Sequence, residues 1–208
     1  MTNSIRYFAA VGILIAAGAL TLHSATGIAG PEFQLDFGTI APEGTPWAQQ
    51  LVNIRQRVEK ESNGRIKMRL FMGGVLGGEL EMVQDILNEG RLDGGGYTTG
   101  SIASAAKLPE LSVMELPFLF DNLPEADYIL DNVLYEDFFN ILKKKGLIVT
   151  MWSENGWRNF GTKMEPATTP EALAKHRMRV QQNEVHQNMY KALGVSAEPI
   201  PGPEVLNA

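Results

Sequence analysis

Between Phe33 and Thr99 the chain switches back and forth between two hydrophobic periods, and this alternation narrows the choice of fold more than any other feature. Phe33 to Ile40 alternates apolar and polar residues, the period of a strand with one face buried. Pro42 to Pro46 supplies a turn, after which Trp47, Leu51, Ile54 and Val58 recur at helical intervals up to Gly64, a helix-stop residue. From Arg65 to Met72 the period returns to two, with Ile66, Met68, Leu70 and Met72 on one face. A further helix follows on Leu80, Val83 and Leu87, closed by Gly90, and then an extended segment runs from Leu92 toward Thr99. Strand, helix, strand, helix, strand is the arrangement of α/β architecture with a largely parallel sheet.

Downstream, Leu111 to Leu116 reads as a strand stopped by Pro117. Pro124 to Lys145 reads as one helix, with Ala126, Leu130, Val133, Leu134, Phe138 and Leu142 on its apolar face and Asp127, Asp131 and Asp137 on a solvated one. Lys143 to Lys145 sit where cations complement the helix dipole, and Gly146 closes the turn. Leu147 to Trp152 has the pattern of a buried strand. Thr169-Pro170-Glu171 opens a short helix, with Thr169 as cap and Pro170 at the first helical position. The change from an apolar strand to Glu154-Asn155-Gly156 marks a domain boundary between residues 153 and 156.

The first 29 residues differ from the rest. Arg6 is their one charge, Tyr7 to Leu22 is uncharged, and small residues follow at Ser24, Ala25, Gly27 and Ala29. This is the pattern of a secretory signal peptide cleaved after Gly27 or Ala29, and an uncleaved anchor is the other reading. A net charge of −6 removes the basic footprint expected of a nucleic-acid-binding protein. The absence of cysteine excludes disulfides, thiolate metal sites and a cysteine nucleophile. His176 and His186 lack partners at ligand spacing and read as solvated side chains, so no metal is expected. Neither glycine cluster, 73–78 or 94–96, continues into a nucleotide-binding fingerprint, so both read as tight turns and no cofactor is expected. No Gly-x-Ser-x-Gly elbow and no His-Glu-x-x-His helix is present, and the chain does not read as an enzyme.

Two arginines stand out. Arg177-Met178-Arg179-Val180-Gln181 places 177, 179 and 181 on one strand face, and a second strand-like segment, Gly156 to Lys163, carries Arg158 beside Asn155 and Asn159. Guanidinium groups keep their charge and match a carboxylate bidentately, so two of them on successive extended segments suit anion capture. Pairing with the many acidic residues is the other reading of both.

The residues around them resemble a known family. Asn155-Gly156-Trp157-Arg158-Asn159, Arg177-Met178-Arg179-Val180, and Lys191-Ala192-Leu193-Gly194 leading to Pro199-Ile200-Pro201 are similar, in order, to the substrate-binding subunits of TRAP (tripartite ATP-independent periplasmic) transporters. Leu76-Gly77-Gly78-Glu79, Asn88 to Asp93, and Glu115-Leu116-Pro117-Phe118-Leu119-Phe120 also resemble that family. The family's Gly-Leu-Lys-Ile-Arg-Val-Pro run departs here, where Lys175 to Gln181 lacks both the glycine and the proline. The resemblance implies a two-lobed periplasmic binding protein-like fold with a hinge: 30–153 as the first lobe and 154–208 as the start of a second, with the remainder of a family member beyond residue 208. It implies Arg179 as the carboxylate clamp, Arg158 as a second cationic contact and Gln182 as a polar contact, with Asn155, Trp152, Tyr97 and Thr98 lining the cleft. A small organic carboxylate and a TRAP-type membrane permease are the implied partners, and the periplasm the implied compartment. The alternatives are a non-functional truncated product and a ligand-sensing domain uncoupled from transport.

Overall fold

The computed structural model describes residues 30–163 and 165–207; the signal-peptide reading of residues 1–29 lies outside them. β1 (Phe33–Gly38), α1 (Pro46–Glu61), β2 (Ile66–Phe71), α2 (Glu79–Leu87), β3 (Gly94–Gly95) and α3 (Thr99–Ala106) follow one another as the alternating periods require. The three strands form one sheet of order β2-β1-β3, parallel throughout, with Phe33 opposite Ile66 and Gly38 opposite both Phe71 and Gly95. Thr45 starts α1 by accepting from the Ala48 amide, with Pro46 next to it where a missing N–H costs nothing. On the polar face of β1, buried Asp36 is held bidentately by Arg69 of β2, and those hydrogen bonds draw its pKa below the usual carboxylate value against the opposing effect of burial.

β3 is shorter than the extended segment expected from Leu92 to Thr99. Its glycines pack so tightly that a Cβ on Gly94 would touch the Phe37 ring and one on Gly95 would overlap the Gly38 carbonyl and the Tyr97 ring. The space an apolar strand side chain would fill is occupied by those two rings.

Four other segments depart from the periodic reading. Leu111 to Leu116 is not a strand: Pro109–Glu115 is a 3-10 helix that buries Leu111 completely. A short apolar run serves either geometry, and here Pro109 occupies the helix start while no strand among the described residues pairs with it. The single helix expected from Pro124 to Lys145 is broken into α4 (Leu123–Tyr128), a π-helical turn (Ile129–Val133) and α5 (Tyr135–Lys143). The Leu134 amide reaches back five residues to the Ile129 carbonyl, and the extra residue brings Phe138 and Leu142 onto the buried face. Leu147 to Trp152 and Gly156 to Lys163 are irregular, because a strand needs a paired neighbour and neither segment has one among the described residues.

α6 (Pro170–Leu173) is capped by Thr169, as read from the sequence. It leads to β4 (Arg177–Val180), α7 (Glu184–Ala192), β5 (Ser196–Pro199) and a 3-10 turn at Gly202–Asn207. β4 and β5 form a second parallel sheet, with Arg179 opposite Glu198. Ala103, Leu108, Leu111, Phe138 and Leu142 form one apolar cluster across α3, the 3-10 helix and α5, and Leu173, Met178, Val180, Tyr190 and Val195 form another around β4 and α7. Among the described residues no helix is long and apolar enough to cross a membrane.

Candidate functional site

Strand β4 buries Met178 and Val180 and turns Arg179 the other way, as strand alternation demands. Half-buried Arg179 donates from Nε and Nη2 to the Ile200 carbonyl at 2.8 and 2.6 Å. One edge of the planar fork is thereby fixed by the chain just after β5. Nη1 has no protein acceptor among the described residues. Burial lowers the Arg179 pKa and the neighbouring positive charge of Arg158 lowers it further, while Tyr190 and Glu79 oppose both. An arginine tolerates this and stays charged.

Arg179 lines a small cavity with Ile40, Glu79, Ser101, Gln181 and Gln182. Glu79 begins α2 and is buried. Its Oε1 accepts from the Thr98 amide at 2.9 Å, and its Oε2 accepts from the hydroxyls of Thr98 and Ser101 at 2.9 and 3.0 Å. Burial nevertheless dominates and raises its pKa, helped by the negative charge of Glu115. The cavity volume is ≈ 20 Å³. That is room for about one water, so an organic acid needs its walls to separate.

Of the residues expected at a site, Arg179 and Gln182 share this cavity. Arg158 and Asn155 lie exposed on the irregular segment, with Arg158 near enough to influence both Arg179 and Tyr190. Thr98 caps α3 and spends its amide and hydroxyl on Glu79. Tyr97 turns its hydroxyl to the Gly94 carbonyl at 3.3 Å, and burial pushes the phenol pKa far up. Trp152 packs edge-on against Phe138 with ring centroids 5.8 Å apart, and its buried Nε1 has no hydrogen-bond partner among the described residues. Glu79 and Ser101 join the cavity without having been singled out from the sequence, and Gln181, read on the same strand face as Arg179, lines it too. Glu79 stood within a quoted motif, but nothing local says that its carboxylate is buried.

His186 reverses its expectation as a solvated side chain. It is buried, and Nε2 lies 3.2 Å from Glu115 Oε2. The hydrophobic cluster under β4 and the cap on Asn183 carry α7 inward, and the acid that meets the imidazole comes from the 3-10 helix far upstream.

The family model for bacterial extracellular solute-binding proteins, family 7, matches residues 37–208. The 2,3-diketo-L-gulonate-binding periplasmic protein YiaO of Escherichia coli is 28% identical over 148 residues, covering 71% of this chain and 44% of that protein. A TRAP periplasmic solute-binding protein from Polaromonas sp. JS666, solved bound to D-erythronate, superposes with a TM-score of 0.79 at 28% identity, covering 85% of this chain and 57% of that one. The sugar acid-binding protein from Advenella mimigardefordensis strain DPN7T in complex with galactonate gives 0.78 at 30% identity, over 86% and 56%. The chain spans about half the length of the curated relatives it matches. With a family match that runs from the end of β1 through the cavity and the second sheet, the chain belongs to the bacterial extracellular solute-binding proteins of family 7.

Proposed function

We propose that this protein captures a small organic carboxylate outside the cytoplasm and delivers it to a TRAP-type membrane permease. The observation that carries the reading is the Arg179 fork, anchored along one edge by the Ile200 carbonyl and facing a cavity shared with Glu79 and Gln182. Anchoring removes the rotamer entropy a free arginine would lose on binding. Arg158, carried on the segment before β4, supplies a second positive charge to the same region. The solved relatives hold D-erythronate and galactonate, whose shared chemistry is one carboxylate on a polyhydroxylated chain. Such a ligand suits a fork on one side and a wall of carboxylate, hydroxyl and amide groups on the other.

In this reading 30–153 forms one lobe and 154–208 the start of the other, and a cavity of ≈ 20 Å³ corresponds to lobes in contact. Ligand enters on separation and is enclosed on return. Residues 1–29 act as the export signal, which N-terminal sequencing of the exported protein checks.

Titration calorimetry with D-erythronate and D-galactonate tests the assignment. Arg179→Ala is expected to lose about 2–5 kcal/mol of binding, since a buried carboxylate is left unpaired. Arg179→Lys also binds poorly, because an ammonium cannot hold the Ile200 carbonyl and present parallel donors to the ligand. Equal affinity in wild type and Arg179→Ala removes Arg179 from the site.

A further inference from the structure

Resting on the carboxylate-binding reading, we propose that Glu115 and His186 are positioning residues, a clasp that holds the Gln181–Gln182 edge of the cavity against the Glu79 side. The two side chains come from different halves of the fold: Glu115 ends the 3-10 helix beside α3, and His186 lies in the first turn of α7. Both are nearly closed off from solvent, with side-chain exposures of 15% and 10%.

Each end of the clasp is tied to a segment that carries cavity residues. Glu115 Oε1 accepts from the Thr99 hydroxyl at 2.5 Å and the Gly100 amide at 2.9 Å, which fixes it to the helix start that presents Ser101 and, through Thr98, Glu79. At the other end, the His186 amide donates to Asn183 Oδ1 at 3.2 Å, closing the cap of α7 immediately after Gln182. Buried Asn183 also packs onto Gly100: a Cβ there would lie 2.8 Å from Asn183 Cγ and closer still to Nδ2. The carboxamide cannot swing aside without releasing the cap, so a hydrogen-bonded pair and a close packing contact act at the same place. Gln181 and Gln182 lie just before the cap, so this anchorage acts beside strand β4 in setting their distance from Glu79.

Neither residue touches the cavity, so the prediction is an effect on affinity transmitted through Gln182. The test pairs D-galactonate calorimetry with amide hydrogen exchange at His186 and Gln187 in the full chain. Glu115→Ala and His186→Ala are each expected to weaken binding by about tenfold, and the double variant by no more than the weaker single one, as for residues acting as a unit. Glu115→Gln keeps the acceptor for Thr99 and Gly100 and presents an amide donor to the other imidazole tautomer, so it retains most of the affinity. Gly100→Ala suits the α3 backbone yet displaces Asn183, and is expected to weaken binding as Glu115→Ala does. Exchange at the two amides is expected to quicken at least tenfold, on the scale of a lost cap, in the alanine variants but not in Glu115→Gln. Additive losses in the double variant, or exchange unaltered in Glu115→Ala, overturns the clasp. If wild type takes up no sugar acid, the carboxylate reading fails and the exchange arm alone decides the clasp.

Discussion

Removing the Glu115–His186 pair should take away a specific part of the acid sensitivity of this fold. Burial by itself would raise the Glu115 pKa, but hydrogen bonds from His186, Thr99 and Gly100, together with the imidazole charge, outweigh it and hold the carboxyl at about 2 against an ordinary 4.5. A pKa depressed in the folded state means that the unfolded chain binds the proton more readily, so stability is fully present above about pH 4.5 and is lost as pH falls toward 2. The shift is worth about 3 kcal/mol at roughly 1.4 kcal/mol per unit. With its side chain 15% exposed, Glu115 is little screened by solvent. The perturbation is Glu115→Gln with His186→Gln, which removes both partners of the pair. Urea unfolding followed by far-UV circular dichroism at a series of pH values from 7 to 2 gives the stability of each form. Wild type is expected to lose about 3 kcal/mol more than the double variant across the acid range. Equal losses in the two proteins would refute the reasoning, because the pair would then contribute no proton-linked stability.

Glu79→Gln should show the opposite sign. The folded-state pKa of Glu79 is raised by burial, so its contribution is present below the ordinary carboxylate value and is lost as pH rises; the variant is expected to flatten the stability profile above about pH 4.5 in the same urea assay. Leu142→Ala empties a site that is 1% exposed in the cluster with Phe138 and Leu111, and should cost about 2–5 kcal/mol in thermal unfolding. Thr169→Ala removes the acceptor for the Ala172 amide at the head of α6 and should cost about 1 kcal/mol, read from the shift in the unfolding midpoint.

Elements carried by local chemistry could be read before folding was considered. β1, α1, β2 and α2 follow from uninterrupted periods of two and 3.6, and the head of α6 from Thr169 and Pro170 side by side. Arg179 was legible for the same reason, since strand alternation alone says which way its side chain turns away from Met178 and Val180, whereas Gln182 was named only through the family resemblance. The π-helical turn at Ile129–Val133 was not, because the pattern is helical on both sides and only the register of Phe138 and Leu142 against Leu111 requires the extra residue. Leu147 to Trp152 carries a strand pattern without a strand: pairing depends on a neighbour, and none lies beside it among the described residues.

What the sequence determined by itself is the alternation of strands and helices, their caps, and the strand face on which Arg179 lies. Each depends on residues within a few positions of one another. Tertiary structure decided which polar groups would leave water. Glu79 became a buried acceptor because Thr98 and Ser101 are folded onto it from a later helix. His186, unremarkable in its own surroundings, became one half of a buried pair when α7 was laid against Glu115. Desolvation and hydrogen bonding act over distances in space rather than along the chain, and so the electrostatics of this site belong to the fold.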